Sequence, residues 1–228
     1  MTFIRKPADP TALPLAGALF LLSAVLATPA SAQDSPKLKR WAVTVNATEV
    51  FVDENAPNIT LAGAPLPGSN VRIGNATTPT LDVGYFFTPN IAANVFLGVP
   101  APAEIDSTGR IGPLGTLAKV HYGPVILSAQ YHFNSQGKLH PYVGVGVGRV
   151  LFFNKHDGAL SDFNIRDSWA PTGQLGVRYE LNKSWMLNAD VRYVPFSTHA
   201  SGSLGGAPAL TRLDIDPILT SVGVTLRF

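Results

Sequence analysis

Beyond residue 33 the chain repeats one pattern. Apolar and polar side chains alternate with a period of two, in stretches broken by Gly, Pro, Asn and Ser. That period is the mark of a β-strand with unlike faces. Eight such stretches stand out, at about 40–52, 78–88, 91–100, 117–133, 139–153, 168–181, 185–197 and 212–228. In the seventh, Trp185, Leu187, Ala189, Val191 and Tyr193 share one face, and Met186, Asn188, Asp190 and Arg192 share the other. The sixth sets Trp169, Leu175, Val177, Tyr179 and Leu181 against Thr172, Gln174, Gly176, Arg178 and Glu180. The fifth sets Val143, Val145, Val147 and Leu151 against Tyr142, Gly144, Gly146 and Gly148. No stretch of helical period competes after residue 33.

The connections alternate in length. Pro89-Asn90, Asn134 to Lys138 and Asn182 to Ser184 are tight turns, whereas 53–77, 101–116, 154–167 and 198–211 are long and rich in Gly, Pro, Asn and Ser. Short turns on one side, long loops on the other and an even strand number predict an all-β fold. It is an eight-stranded antiparallel transmembrane up-and-down barrel, with periplasmic turns and longer extracellular loops. A soluble lipocalin-like barrel has the same period with its apolar face inside. The polar face here argues against that, because it is built from Gly, Ser, Thr, Asn and Gln, and a solvated wall needs more Lys and Glu. Eight strands leave a lumen that side chains nearly fill, so the apolar face meets outer-membrane lipid. Aromatic residues gather at the strand ends, as interfacial girdles do. Trp41, Phe87, Phe133, Tyr179, Trp185 and Phe228 sit at one end, and Phe51, Phe153, Trp169 and Tyr193 at the other. A closed barrel has no edge, so the last strand must pair with the first.

Composition adds exclusions. Of 228 residues, 46% are hydrophobic and 14% charged, and the net charge is +2. Such a chain is neither disordered nor a coiled coil, and it lacks the basic stripe of a nucleic-acid binder. The absence of cysteine excludes disulfides, a thiolate nucleophile and a Cys-based zinc site. At the start, Arg5 and Lys6 precede the apolar run 12–26 and then Ala30-Ser31-Ala32. Basic, apolar, small-x-small is the order of a cleavable signal peptide, here 1–32, leaving a barrel of 33–228. The run is shorter than the roughly 20 residues a spanning helix needs. The expected location is the outer membrane of a Gram-negative bacterium.

Catalytic chemistry is not evident. His121, His132, His140, His156 and His199 lack helical metal-ligand spacing, and Asp157, Asp162 and Asp167 lack that of a calcium loop. No nucleophile elbow or phosphate loop occurs, so neither enzyme activity nor a cofactor is expected. What remains is the lumen. Thr44, Asn46, Thr80, Asp82, Asn94, Ser128, Gln130, His132, Arg178, Glu180, Asn188, Asp190 and Arg192 point inward, with Phe86 and Phe96 among them. Arg178 with Glu180, and Asp190 with Arg192, have room to pair, which would give either a satisfied plug or a constriction whose side chains part for a solute. The constriction candidates are Phe96, Arg192, Asp190, Arg178, Glu180, Gln130 and Phe86. Six prolines, Pro79, Pro100, Pro124, Pro171, Pro195 and Pro217, lie nine to eleven residues from the periplasmic ends of their strands. Each lacks a ladder N–H. The barrel either stops there or carries weak points in its wall, with Pro124, Pro171 and Pro217 as rim candidates.

Several runs carry a resemblance. They are Pro141-Tyr142-Val143-Gly144-Val145-Gly146-Val147, Asp167-Ser168-Trp169 leading to Gly173-Gln174-Leu175-Gly176-Val177, Leu160-Ser161-Asp162, Asp216-Pro217 and the terminal Arg227-Phe228. Together they resemble the outer membrane protein W family over essentially all of 33–228. The resemblance implies a passage for small hydrophobic solutes that enter from outside and leave sideways into the bilayer. It also implies a hydrophobic lumen with an apolar constriction, which Phe96 fits and Arg192 does not. The outer-membrane assembly machinery, met through Phe228, is a further expected partner. The alternative is a non-conducting barrel that stabilises the envelope or displays its loops as a receptor or adhesion platform.

Overall fold

The computed structural model describes residues 39–56, 59–133 and 137–228. The expected signal peptide, 1–32, and residues 134–136 of the turn expected at Asn134 to Lys138 lie outside the described residues. Eight strands form the barrel: β1 (Trp41–Phe51), β2 (Ala76–Phe86), β3 (Ile91–Gly98), β4 (Thr116–His132), β5 (Leu139–Asp157), β6 (Ser168–Glu180), β7 (Trp185–Tyr193) and β8 (Ile218–Arg227). Each is antiparallel to the next, and β8 returns to β1. Trp41 and Phe228 close the ring by exchanging two 2.9 Å backbone hydrogen bonds. The sheet therefore has no edge within the membrane.

The pleat separates the faces as the alternation requires. Along β7 every odd residue from Trp185 to Tyr193 is exposed and every even one is buried. Val145 (70% exposed) and Leu175 (65%) project from neighbouring strands. The aromatic residues of both girdles are exposed as well. Apolar side chains cover the outside of the wall and many polar ones lie inside, because the solvent of this wall is lipid.

The regions read as long loops are largely strand. Ser69–Ile73 pairs with Ala101–Gly109, which pairs in turn with the outer part of β4. On the opposite side, Ser161–Ile165, Phe196–Leu204 and Ala207–Ile215 form a second sheet. The stretch expected as one strand over 212–228 divides at Asp216-Pro217. The part before it belongs to this second sheet, and β8 begins at Ile218. Likewise β7 ends at Tyr193, ahead of Pro195. Between the two outer sheets lies an apolar core that includes Ile105, Leu117, Val120, Phe163, Ile165, Leu213 and Ile215.

Candidate functional site

Inward positions of the barrel fall into two tiers. The lower tier is a polar plug. Arg192, 2% exposed, donates from Nη2 to Asp82 Oδ1 at 2.8 Å and lies 3.3 Å from Asp190 Oδ1 through Nε. Gln174, its amide turned so that the oxygen faces the guanidinium, accepts from Arg192 Nε at 3.0 Å and Nη2 at 2.8 Å. Asn46 donates to Asp82 Oδ2, and Asn188 to Asp190 Oδ2, both at 2.8 Å. Tyr142 donates to Asn188 Oδ1 at 3.0 Å. Arg178 donates to the same oxygen at 3.5 Å, with its guanidinium 5.1 Å from the Tyr142 ring. Two carboxylates and two guanidiniums are thus buried together, which makes burial of the charge tolerable. β6 passes close enough to hold Tyr142 in place: a Cβ on Gly176 would run into its ring.

Towards the periplasm the plug continues as a stack. His132 lies 4.8 Å from the Tyr142 ring on one side and 4.8 Å from Phe86 on the other, and Arg227 sits 4.0 Å over Phe86. Gln130 Oε1 is 3.1 Å from His132 Nε2. Glu180 does not pair with Arg178 as the strand reading allowed. Lying nearer the turn, it meets His140 Nε2 at 3.4 Å, while Arg178 is held in the plug.

The upper tier is apolar. Its floor is Phe96, whose ring lies 4.0 Å from the Arg192 guanidinium below it and also borders the cavity. Above it Val50, Val120, Phe152, Val194 and Leu219 line a cavity with about 790 Å³ of unfilled space, part of it open to solvent. Arg192, Asp190, Arg178, Glu180, Gln130 and Phe86 do not line it, so of the residues proposed for a constriction Phe96 alone reaches the cavity. The apolar lining was not singled out from sequence. Its signal was the continuation of period two through Ala101, Ala103 and Ile105, inside a segment that read as a loop.

The proline belt divides three ways. Pro124 lines the cavity where β3 and β4 lose their pairing: Leu97 lies opposite Val125, the next matched pair is Ala101 with Tyr122, and Val99 N turns to Pro79 O instead. Pro217 also lines the cavity, but its carbonyl accepts from Val194 N and the wall there is continuous. Pro171 is exposed on the outer face, opposite Val147. A second unpaired stretch begins above Gly173 and Tyr193, between β6 and β7.

A closed eight-stranded barrel with a lipid-facing apolar wall and a packed polar lumen is an outer-membrane β-barrel. Residues 40–228 match the model of the OmpW family, and the chain belongs to that family. It is 50% identical over 188 residues to outer membrane protein AlkL of Ectopseudomonas oleovorans, covering 82% of each chain. It is 29% identical to dibenzothiophene metabolism operon protein PahQ of Pseudomonas aeruginosa, over 89% of this chain and 93% of that one. The solid-state NMR structure of AlkL in DMPC bilayers superposes with a TM-score of 0.70 at 48% identity, covering 89% of this chain and 95% of the other. AlkL is an outer membrane protein, and this chain, a member of the same family, lies in the outer membrane.

Proposed function

We propose that the barrel is a narrow passage for small hydrophobic solutes, entered from the extracellular side and left sideways through the wall. One observation carries this reading: an apolar cavity stands directly on a packed, charged plug. An apolar molecule gains by leaving water for such a cavity. Continuing down the axis would force it through buried ion pairs, so the lower cost lies through the wall into lipid. The β3–β4 junction at Gly98 to Pro100 and Gly123-Pro124 suits that exit, because both strands reach the cavity there and the ladder is unpaired. A relative named for a dibenzothiophene metabolism operon fits a flat apolar cargo. Phe228, exposed at the periplasmic end and paired with Trp41, is the proposed contact for the assembly machinery.

The test is uptake of dibenzothiophene into vesicles carrying the barrel, beside vesicles carrying an unrelated eight-stranded barrel. Wild type should exceed the control. Pro124→Val, which returns a backbone donor to the unpaired stretch, should lower the rate more than Pro171→Val on the outer face. Uptake equal to the control in every case overturns the passage. Uptake above the control but indifferent to Pro124 overturns the lateral exit at that junction.

A further inference from the structure

The two outer sheets carry their charges differently. In the sheet built on β4, Lys119 lies 2.6 Å from Glu104, and Arg72 stands opposite Asp106. In the other sheet, three basic residues are exposed side by side. His199 stands opposite Arg212, and Arg166 N donates to His199 O at 3.3 Å, which sets Arg166 next to them. All three line one cleft with about 580 Å³ of unfilled space, part of it open to solvent, to which Thr60, Ser201 and Thr211 add hydroxyls. No carboxylate pairs with Arg166 among the described residues. Its neighbour Asp167 lies 3.3 Å from Arg149 and accepts from Phe152 N at 3.1 Å. Asp214 meets Arg212 at 2.9 Å and offsets that charge alone. Nearby, Lys155 donates to Asn164 Oδ1 and to the Ile165 carbonyl, neither of them charged. Like charges set side by side across strands repel, so the row favours an anion in the cleft.

The height of the row selects the anion. Arg166 is three residues from Trp169, His199 six from Tyr193, and Arg212 six from Ile218. At about 3.3 Å per residue, less the strand tilt, the cleft stands within about 15 Å of the outer aromatic girdle. Below it β6 and β7 expose Leu175, Val191 and Tyr193 on the lipid-facing wall. Phosphate above and hydrocarbon below is the profile of lipopolysaccharide, the phosphorylated glycolipid of an outer leaflet. We propose that Arg166, His199 and Arg212 form a binding site for a phosphate of this glycolipid, whose acyl chains lie against the β6–β7 wall. Arginine suits the task, because its planar fork can grip a phosphate with two parallel N–H bonds. The site goes beyond the passage proposed above and stands or falls without it.

The experiment offers the full barrel, in nonionic detergent micelles, either lipid A or the same lipid with its phosphates removed. Native mass spectrometry counts the barrels that retain each lipid. Wild type should prefer the phosphorylated form by about ten-fold, the scale of one charge-assisted hydrogen bond. Arg166→Gln with His199→Gln should lose most of that preference, whereas Lys119→Gln in the other sheet should keep it. Raising the salt concentration should shrink the preference, because the cleft is exposed. All the substituted side chains are exposed, and a heat-dependent shift in gel mobility identifies the folded barrels to be compared. Equal retention of the two lipids, or a preference that survives the double substitution, overturns the site. An equal loss in Lys119→Gln would mean diffuse attraction to a basic surface and overturns it too. Displacement of lipid A by inorganic phosphate would make the ligand a free anion and overturn the lipid assignment.

Discussion

The two tiers of the lumen are built by the same strands and differ completely in character. On β7 the inward residue Arg192 belongs to the plug, and Val194, the next inward position just beyond the strand, lines the cavity. On β3 the change falls between Asn94 and Phe96, and on β4 between Ser128 and Ile126. One step of the inward face, two residues, separates a filled polar interior from an unfilled apolar one. In the plug every large side chain meets another, and opposite charges are matched within a few ångström. In the cavity apolar walls face each other with space between them. A packed polar plug and an apolar chamber thus lie in series, and Phe96, touching both, is where they meet.

The comparison is most easily broken in the plug. Asp82→Ala removes the 2.8 Å partner of Arg192 and also the acceptor of Asn46. Leaving a buried guanidinium with half its charge partners should cost about 3–5 kcal/mol, read as a lower urea midpoint for unfolding from lipid vesicles. Adding Arg192→Leu to Asp82→Ala should recover part of that loss, since contacting sites are not additive. A loss below about 1 kcal/mol for Asp82→Ala would mean that water reaches Arg192 and that the plug is not sealed.

Next in size is the junction. Phe96→Ala removes a buried ring from between the tiers and exposes the Arg192 guanidinium to the cavity. Truncating a buried Phe costs about 3 kcal/mol, and the space left would join cavity to plug. Ion conductance across planar bilayers should rise from that of the wild type. An unchanged conductance, with the stability loss intact, would show that the plug seals without its apolar cover.

How much of this the sequence revealed follows from what each side chain faces. Residues 185–193 alternate cleanly because lipid and packed lumen make opposite demands on the two faces, and the structure preserves every assignment there. Ala101–Gly109 also alternates, with Ala101, Ala103 and Ile105 buried. Its inward side chains are small and its sequence holds Pro and Gly, so it read as a loop. The expectation of a single strand over 212–228 failed for a local reason: the strand breaks at Asp216-Pro217, where Pro217 has no N–H to give the ladder. Contacts were less accessible still. Arg192 read as a departure from an apolar lumen, but Asp82, its partner, lies 110 positions away on β2, and only the three pairings that run from β7 through β8 and β1 to β2 bring them together. The pairing of Glu180 with His140 rather than Arg178 likewise depends on the height of each residue along its strand.

The smallest expected effects sharpen the contrast most directly, because they ask whether added volume is tolerated. Ser128, on the plug face of β4, packs so closely that a Cβ on Gly146 of β5 would lie 2.8 Å from both its Cα and its Cβ. Ser128→Val should therefore carry the usual overpacking cost of about 1–3 kcal/mol. Val150, on β5 in the cavity wall, borders unfilled space. Val150→Phe should cost less than about 1 kcal/mol, because the added atoms enter space and make new apolar contacts. The same substitution should cut dibenzothiophene uptake several-fold, whereas Ser128→Val should leave the uptake of folded barrels unchanged. Matched urea titrations and uptake assays separate the two outcomes. If both variants destabilise the barrel equally, the cavity is filled in the native membrane and its solute must displace an occupant. If Val150→Phe is tolerated while uptake falls, the empty space itself is the path.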